Sequence, residues 1–209
     1  MSEAERIYVL VKEYSSQNDL TFCHLHKCLA PDECDCRQHH EMLDFDEVKR
    51  RYCKEKGIRT GKSADGLAYN DNGILFLVEI KGWEKYEKYQ RPQNERDIKE
   101  QVEGYGMSKK LKDSLIVCNG ILSQTEKSVA LPVVYLVASD IKADNAIEEI
   151  AGNLMFLSET SSDLSHVYGE ELKSRLSAIS DVDCGFIADC RQIDHEIKSW
   201  EKAREIKIV

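Results

Sequence analysis

Only three of the 209 residues are proline, and no apolar run approaches the roughly 18 residues that a membrane-spanning helix needs. The longest apolar stretches, residues 74–80 and 131–138, have the length of strands. The N-terminus, Met-Ser-Glu-Ala-Glu-Arg, lacks the basic start and apolar core of a secretory signal. No internal repeat, low-complexity tract or obvious linker divides the chain. These absences exclude a membrane span and argue for one intracellular domain over residues 1–209, cytoplasmic if the source is prokaryotic. At 42% hydrophobic and 32% charged, the composition is that of a globular protein with a proper core and a polar surface.

The net charge is -9, which on its own disfavours a nucleic-acid partner. The charge is unevenly spread. Residues 47–112 hold 16 Lys/Arg against 11 Asp/Glu, whereas residues 120–209 hold 9 against 16. A locally basic field is what a phosphate backbone requires, although such fluctuations are common in a chain that is one-third charged.

Apolar residues at Ile7, Leu10, Val11 and Tyr14 predict a helix over 3–15, with a short strand as the alternative. Residues 45–56 read as a helix closed by Gly57. Residues 58–69 and 74–82 read as strands around the turn sequence Asn70-Asp71-Asn72-Gly73. Residues 92–112 read as a helix, 114–118 and 133–138 as buried strands, and 145–153, 169–179 and 189–206 as helices. This order predicts an α/β fold with a small mixed sheet between helices. The core spans about 45–138, and a helical extension covers 140–209.

The chemistry concentrates between residues 63 and 105. A turn centred on Asn72 places Asp65 opposite Glu79, with Cβ atoms roughly 4.5–5.5 Å apart. Two carboxylates that close repel, and a hard divalent cation such as magnesium removes the repulsion. Lys81, two residues beyond Glu79, projects from the same face. It can orient a water or stabilise charge on a phosphoryl group. Gln101 and Tyr105, four apart, share one face of a helix. The competing reading is a surface hairpin with a cross-strand Asp and a Glu/Lys pair. Against it, Glu79 interrupts the apolar run Ile74-Leu75-Phe76-Leu77-Val78, where a charge without a function incurs a desolvation cost.

Asp65-Gly66, Glu79-Ile80-Lys81 and Gln101-x-x-x-Tyr105 together resemble the PD-(D/E)xK nuclease superfamily, in particular its RecB-like branch. The resemblance covers about residues 45–138 and implies a restriction-endonuclease-like αβββαβ core. It implies catalytic roles for Asp65, Glu79, Lys81, Gln101 and Tyr105, with Mg2+ or Mn2+ held by Asp65 and Glu79. Ala64 replaces the proline that often precedes the first acid. The family usually adds a Glu or His from the first core helix; Glu47 is the acidic candidate for a further metal ligand, and His40 the alternative.

The segment 21–40 gathers Cys23, His24, His26, Cys28, Cys34, Cys36, His39 and His40. A structural Zn2+ on Cys23, Cys28, Cys34 and Cys36 is one reading. A reduced Cys-rich loop is the other, since neither Cys-x4-Cys nor Cys-x-Cys is the usual zinc spacing. Some RecB-like nucleases carry an iron–sulfur cluster with three late cysteines, and only Cys184 and Cys190 are present here. Asp163, Ser165 and His166 form no triad pattern.

Two functions follow as expectations. One is a metal-dependent deoxyribonuclease, an endonuclease or an exonuclease, serving restriction, repair or anti-phage defence by analogy. RNA is the alternative substrate. The other is a nuclease-fold binding or regulatory subunit that needs a partner protein. The partner is expected to be nucleic acid, DNA before RNA, with no membrane involved; a homodimer is also open.

Overall fold

The computed structural model describes residues 3–14, 20–21, 41–122, 133–141, 164–179, 184–190 and 192–200. The elements run α1 (Glu3–Tyr14), β1 (Leu20–Thr21), β2 (Glu41–Asp44), α2 (Phe45–Lys56), β3 (Gly66–Tyr69), β4 (Leu75–Ile80), α3 (Trp83–Gln90), α4 (Glu95–Tyr105), α5 (Met107–Leu122), β5 (Val133–Ser139), α6 (Leu164–Ser177), β6 (Cys184–Asp189) and α7 (Ile193–Ser199). The strands lie side by side in chain order. Pairs β1 to β4 are antiparallel, whereas β4–β5 and β5–β6 are parallel. The fold is therefore α/β with a mixed sheet between helices. Between α2 and β4 there is one strand, β3. Its other neighbour, β2, comes before α2 in the chain, so the order differs from αβββαβ.

Alternation along the strands builds two cores. Leu75, Leu77, Tyr135 and Val137 face a layer made by α1 to α6. Phe76, Val78, Val134 and Leu136 face the other side, covered by Ile193 and Ile197 of α7 and by Trp200. No helix among the described residues is long and apolar enough to cross a membrane.

The helix over Phe45–Lys56 has the ends the sequence predicts. Asp44 accepts from the Glu47 N–H at the N-terminus, and Gly57 closes the last turn in the left-handed region at φ 64°. The hairpin register also matches, with Gly66 opposite Val78 and Leu67 opposite Leu77. Gly73, at φ 80°, turns the chain. Asn70 is buried and fully used: its Oδ1 accepts from the Ile74 N–H at 3.0 Å, and its amide donates to the carbonyls of Ile197 and Trp200 at 2.7 and 3.1 Å.

Several expected elements are different. Residues 114–118 are not a strand but the middle of α5. An apolar run of that length does not distinguish a buried strand from a buried helix. The burial of Leu111, Ser114, Val117, Cys118, Ile121 and Leu122, with Ile116 62% exposed, has the helical period. The helix expected over 92–112 is two helices, because Gly106 takes φ 62° and caps α4 before α5 begins. The strand expected from residue 58 starts only at Gly66. Helix α3 and strand β6 were not foreseen; β6 occupies 184–189, and α7 within the helix expected over 189–206 starts only at Ile193. The helix expected over 145–153 and the segment 22–40, with Cys23, Cys28, Cys34, Cys36 and His40, lie outside the described residues.

Replacing Asn70 by Ala should cost about 2–3 kcal/mol of folding free energy, because it strips the Ile74 N–H and the Ile197 carbonyl of their side-chain partner and leaves the Trp200 carbonyl to Asn72 alone. Asn70→Asp should cost at least as much, since it turns a carboxylate toward two carbonyl oxygens. Chemical unfolding of the three proteins checks both, and a change under 0.5 kcal/mol would remove Asn70 as the tie between hairpin and α7.

Candidate active site

The site forms at the carboxyl end of β4, where the sheet changes from antiparallel to parallel pairing. That end of an open α/β sheet is a common place for ligands. Asp65 stands just before β3 and is held at three points. Its N–H donates to the Val78 carbonyl at 2.9 Å, its carbonyl accepts from the Phe45 N–H at 3.1 Å, and its Oδ2 accepts from the Ile80 N–H at 2.7 Å.

Glu79 faces the layer of α1 to α6 and is wholly buried, at 0% exposure. Lys81 and Lys110 both pair with its Oε1. The same ammonium groups reach Asp65, Lys81 at 3.9 Å from Oδ2 and Lys110 at 3.8 Å from Oδ1. The other oxygen, Glu79 Oε2, is buried without a hydrogen-bond partner. The Tyr135 hydroxyl lies beside Glu79, also without a well-formed hydrogen bond. Burial pushes the Glu79 carboxyl above its ordinary value, and the Asp65 charge adds to this, against the opposing pull of Lys81 and Lys110.

Lys81 is fixed from several sides. Its N–H donates to the Ala138 carbonyl at 2.9 Å, its ammonium donates to the Ile80 carbonyl at 2.9 Å, and it stands 5.0 Å from the centre of the Tyr105 ring. The Tyr105 and Tyr168 hydroxyls are 2.8 Å apart. Burial raises the Tyr105 pKa, while hydrogen bonds from Tyr168 and Gln101 pull the other way. Gln101 thus joins the site through Tyr105. Trp83, Tyr86 and Tyr168 stack into an aromatic wall behind it, with ring centres 5.3–5.8 Å apart. The Asp140 carboxylate, at the end of β5, accepts from the Trp83 and Glu84 N–H groups at 2.6 and 3.2 Å and so caps α3 directly after Lys81.

The structure therefore brings Asp65, Glu79, Lys81 and Tyr105 together, with Gln101 one helical turn away. Glu47 sits on the first turn of α2. Among the described residues no group of three His, Cys, Asp or Glu side chains is placed to hold a metal. Asp46, the neighbour of Glu47, is an α2 carboxylate within electrostatic reach of Lys110. Burial works to raise the Asp46 carboxyl, but hydrogen bonds from Lys49 and Ser63 and the charges of Lys49 and Lys110 hold it below its ordinary value. Sequence reasoning missed Lys110 and Asp46. For Lys110 no local signal was present: it reaches the site because the chain turns at Gly106, one helical turn before it.

The residues present fit a hard divalent cation. Two carboxylates converge, one buried oxygen lacks a partner, and magnesium commonly takes one or two carboxylates and completes its shell with water and phosphate oxygens. In comparisons with protein-family models, curated proteins and solved structures, the chain matches none.

Because Glu79 has its pKa raised by folding, folding favours its protonated form. The stability this contributes is fully present below the ordinary carboxylate value and is lost as pH rises through the folded value. Glu79→Gln removes that dependence. The stability of the variant relative to the wild type should therefore increase from about pH 4 to neutrality. Urea unfolding across this range in the absence of metal measures it; a difference that is flat, or falls with pH, would contradict the raised value.

Proposed function

We propose that the protein is a metal-dependent phosphodiester hydrolase acting on DNA, with a site of the PD-(D/E)xK type. The observation that carries this reading is the convergence of Asp65 and Glu79, from adjacent strands, on the Lys81 ammonium at the carboxyl end of β4, with one Glu79 oxygen left for a ligand. Asp65 and Glu79 would hold Mg2+ or Mn2+, which when bound polarises a phosphoryl oxygen and lowers the pKa of a coordinated water. Lys81 stabilises charge developing on the phosphate, and the Ile80 carbonyl and Tyr105 ring keep its ammonium in place. The Tyr105 hydroxyl, kept protonated by burial, is a hydrogen-bond donor at the edge of the site. Gln101 orients Tyr105. The basic balance of residues 47–112 supports a polyanionic substrate.

A second reading is a binding or regulatory subunit of the same fold that needs a partner. One observation favours it: Lys81 and Lys110 together balance the charges of Asp65 and Glu79 within the chain itself.

Purified protein should cut DNA when given magnesium or manganese, and EDTA should stop it. Glu79→Ala and Lys81→Ala should each lower the rate by about 10²-fold or more while remaining folded by circular dichroism. Plasmid, linear duplex, single-stranded DNA and RNA, tested side by side, assign the substrate and distinguish internal from terminal cutting. Folded, metal-loaded protein that cuts none of them would favour the binding role.

A further inference from the structure

Lys110 stands where a cation shared by Asp65 and Glu79 would stand. It pairs with Glu79 Oε1 and lies 3.8 Å from Asp65 Oδ1. Asp65 Oδ2 already accepts from the Ile80 N–H, so Oδ1 is the oxygen turned toward Lys110. The two ammonium groups differ in how they are held. Lys81 is anchored by the Ile80 carbonyl and the Tyr105 ring. Lys110 has a fixed backbone and a long flexible side chain. Its N–H donates to the Gly106 carbonyl at 2.9 Å, and its carbonyl accepts from the Ser114 hydroxyl at 2.7 Å. That same hydroxyl oxygen accepts from the Ala64 N–H at 2.9 Å, one residue before Asp65. The α5 backbone is thus locked to the strand that carries the acid. The charge of Lys110 also acts on Asp46.

We infer that Lys110 is a built-in counter-ion that a divalent cation displaces from Glu79 and Asp65 when it binds. This rests on the proposed metal-binding role of the two carboxylates. Without metal, Lys110 offsets the repulsion between Asp65 and Glu79 and keeps their geometry. On metal entry its side chain withdraws from the two carboxylates, while the α5 backbone stays in place. Lys110 is a positioning residue in this scheme, and it sets the metal affinity of the site.

The test is calorimetric titration of wild type, Lys110→Met and Lys110→Arg with Mn2+, with bound Mn2+ counted by electron paramagnetic resonance. Lys110→Met keeps the apolar stem without the charge and should bind about tenfold more tightly than wild type, the order of one screened charge–charge interaction. Its metal-free form should melt at a lower temperature. Lys110→Arg keeps the charge and should bind no more tightly than wild type. Wild-type binding that is unchanged or weakened in Lys110→Met overturns the inference and leaves the metal-site reading intact. No binding by wild type or either variant overturns both. Should Lys110→Met fail to fold, the ε-carbon resonance of Lys110 in wild type, assigned by its loss in Lys110→Arg, is followed during a Mg2+ titration. A shift that saturates with metal supports displacement, and a resonance unmoved at saturation refutes it.

Discussion

A fully buried carboxylate in the middle of an apolar sheet is the constraint around which this fold is organised. Taking Glu79 out of water costs several kcal/mol unless opposite charge and hydrogen bonds compensate. The compensation comes from two parts of the chain: Lys81, two residues beyond Glu79, and Lys110, which arrives from α5. Asp65, just before the neighbouring strand, draws on the same two ammonium groups and adds a second negative charge for them to balance. For this to work the hairpin register must be right, Gly106 must turn the chain between α4 and α5, and Ser114 must hold α5 against residues 64–65. Features far apart in the sequence are therefore required by one charge balance.

That balance is confined to one face of the sheet. The alternation of β4 sends Glu79 toward the helical layer and Val78 toward the α7 side. The α7 side is dry at its centre and carries its polar contacts at the hairpin tip, where Asn70 and Asn72 reach the last carbonyls of α7 and Trp200. The α7 side thus fixes the turn, the turn fixes the register, and the register aligns the two acids on the opposite face.

How much of this could be read in the sequence follows from how local each cause is. The Asp65–Glu79 juxtaposition was legible, because a four-residue turn with a glycine at positive φ determines strand pairing within ten residues. The helix over Phe45–Lys56 was legible from Asp44 and Gly57 at its ends. Residues 114–118 were not, since the four apolar residues from Leu115 to Cys118 satisfy either period until their neighbours are placed. Lys110 was not legible because its approach to Glu79 depends on the direction α5 takes after Gly106. Glu47 and Asp46 differ by one position, which on a helix is a rotation of about 100°. Their sequence neighbourhood gives no preference as to which of them feels the charge of Lys110. The same holds for Asp140, whose contact with Trp83 spans 57 residues.

The Asp140 contact makes the end of β5 and the start of α3 a single mechanical unit with the lysine between them. The Lys81 backbone is bound to Ala138 of β5, and the helix that begins two residues later is bound to Asp140. A displacement of residues 138–140 therefore reaches the backbone on both sides of Lys81 at once. Because β5 also pairs with β4 at Glu79, the tip of β5 sets the position of the lysine and of the buried acid together.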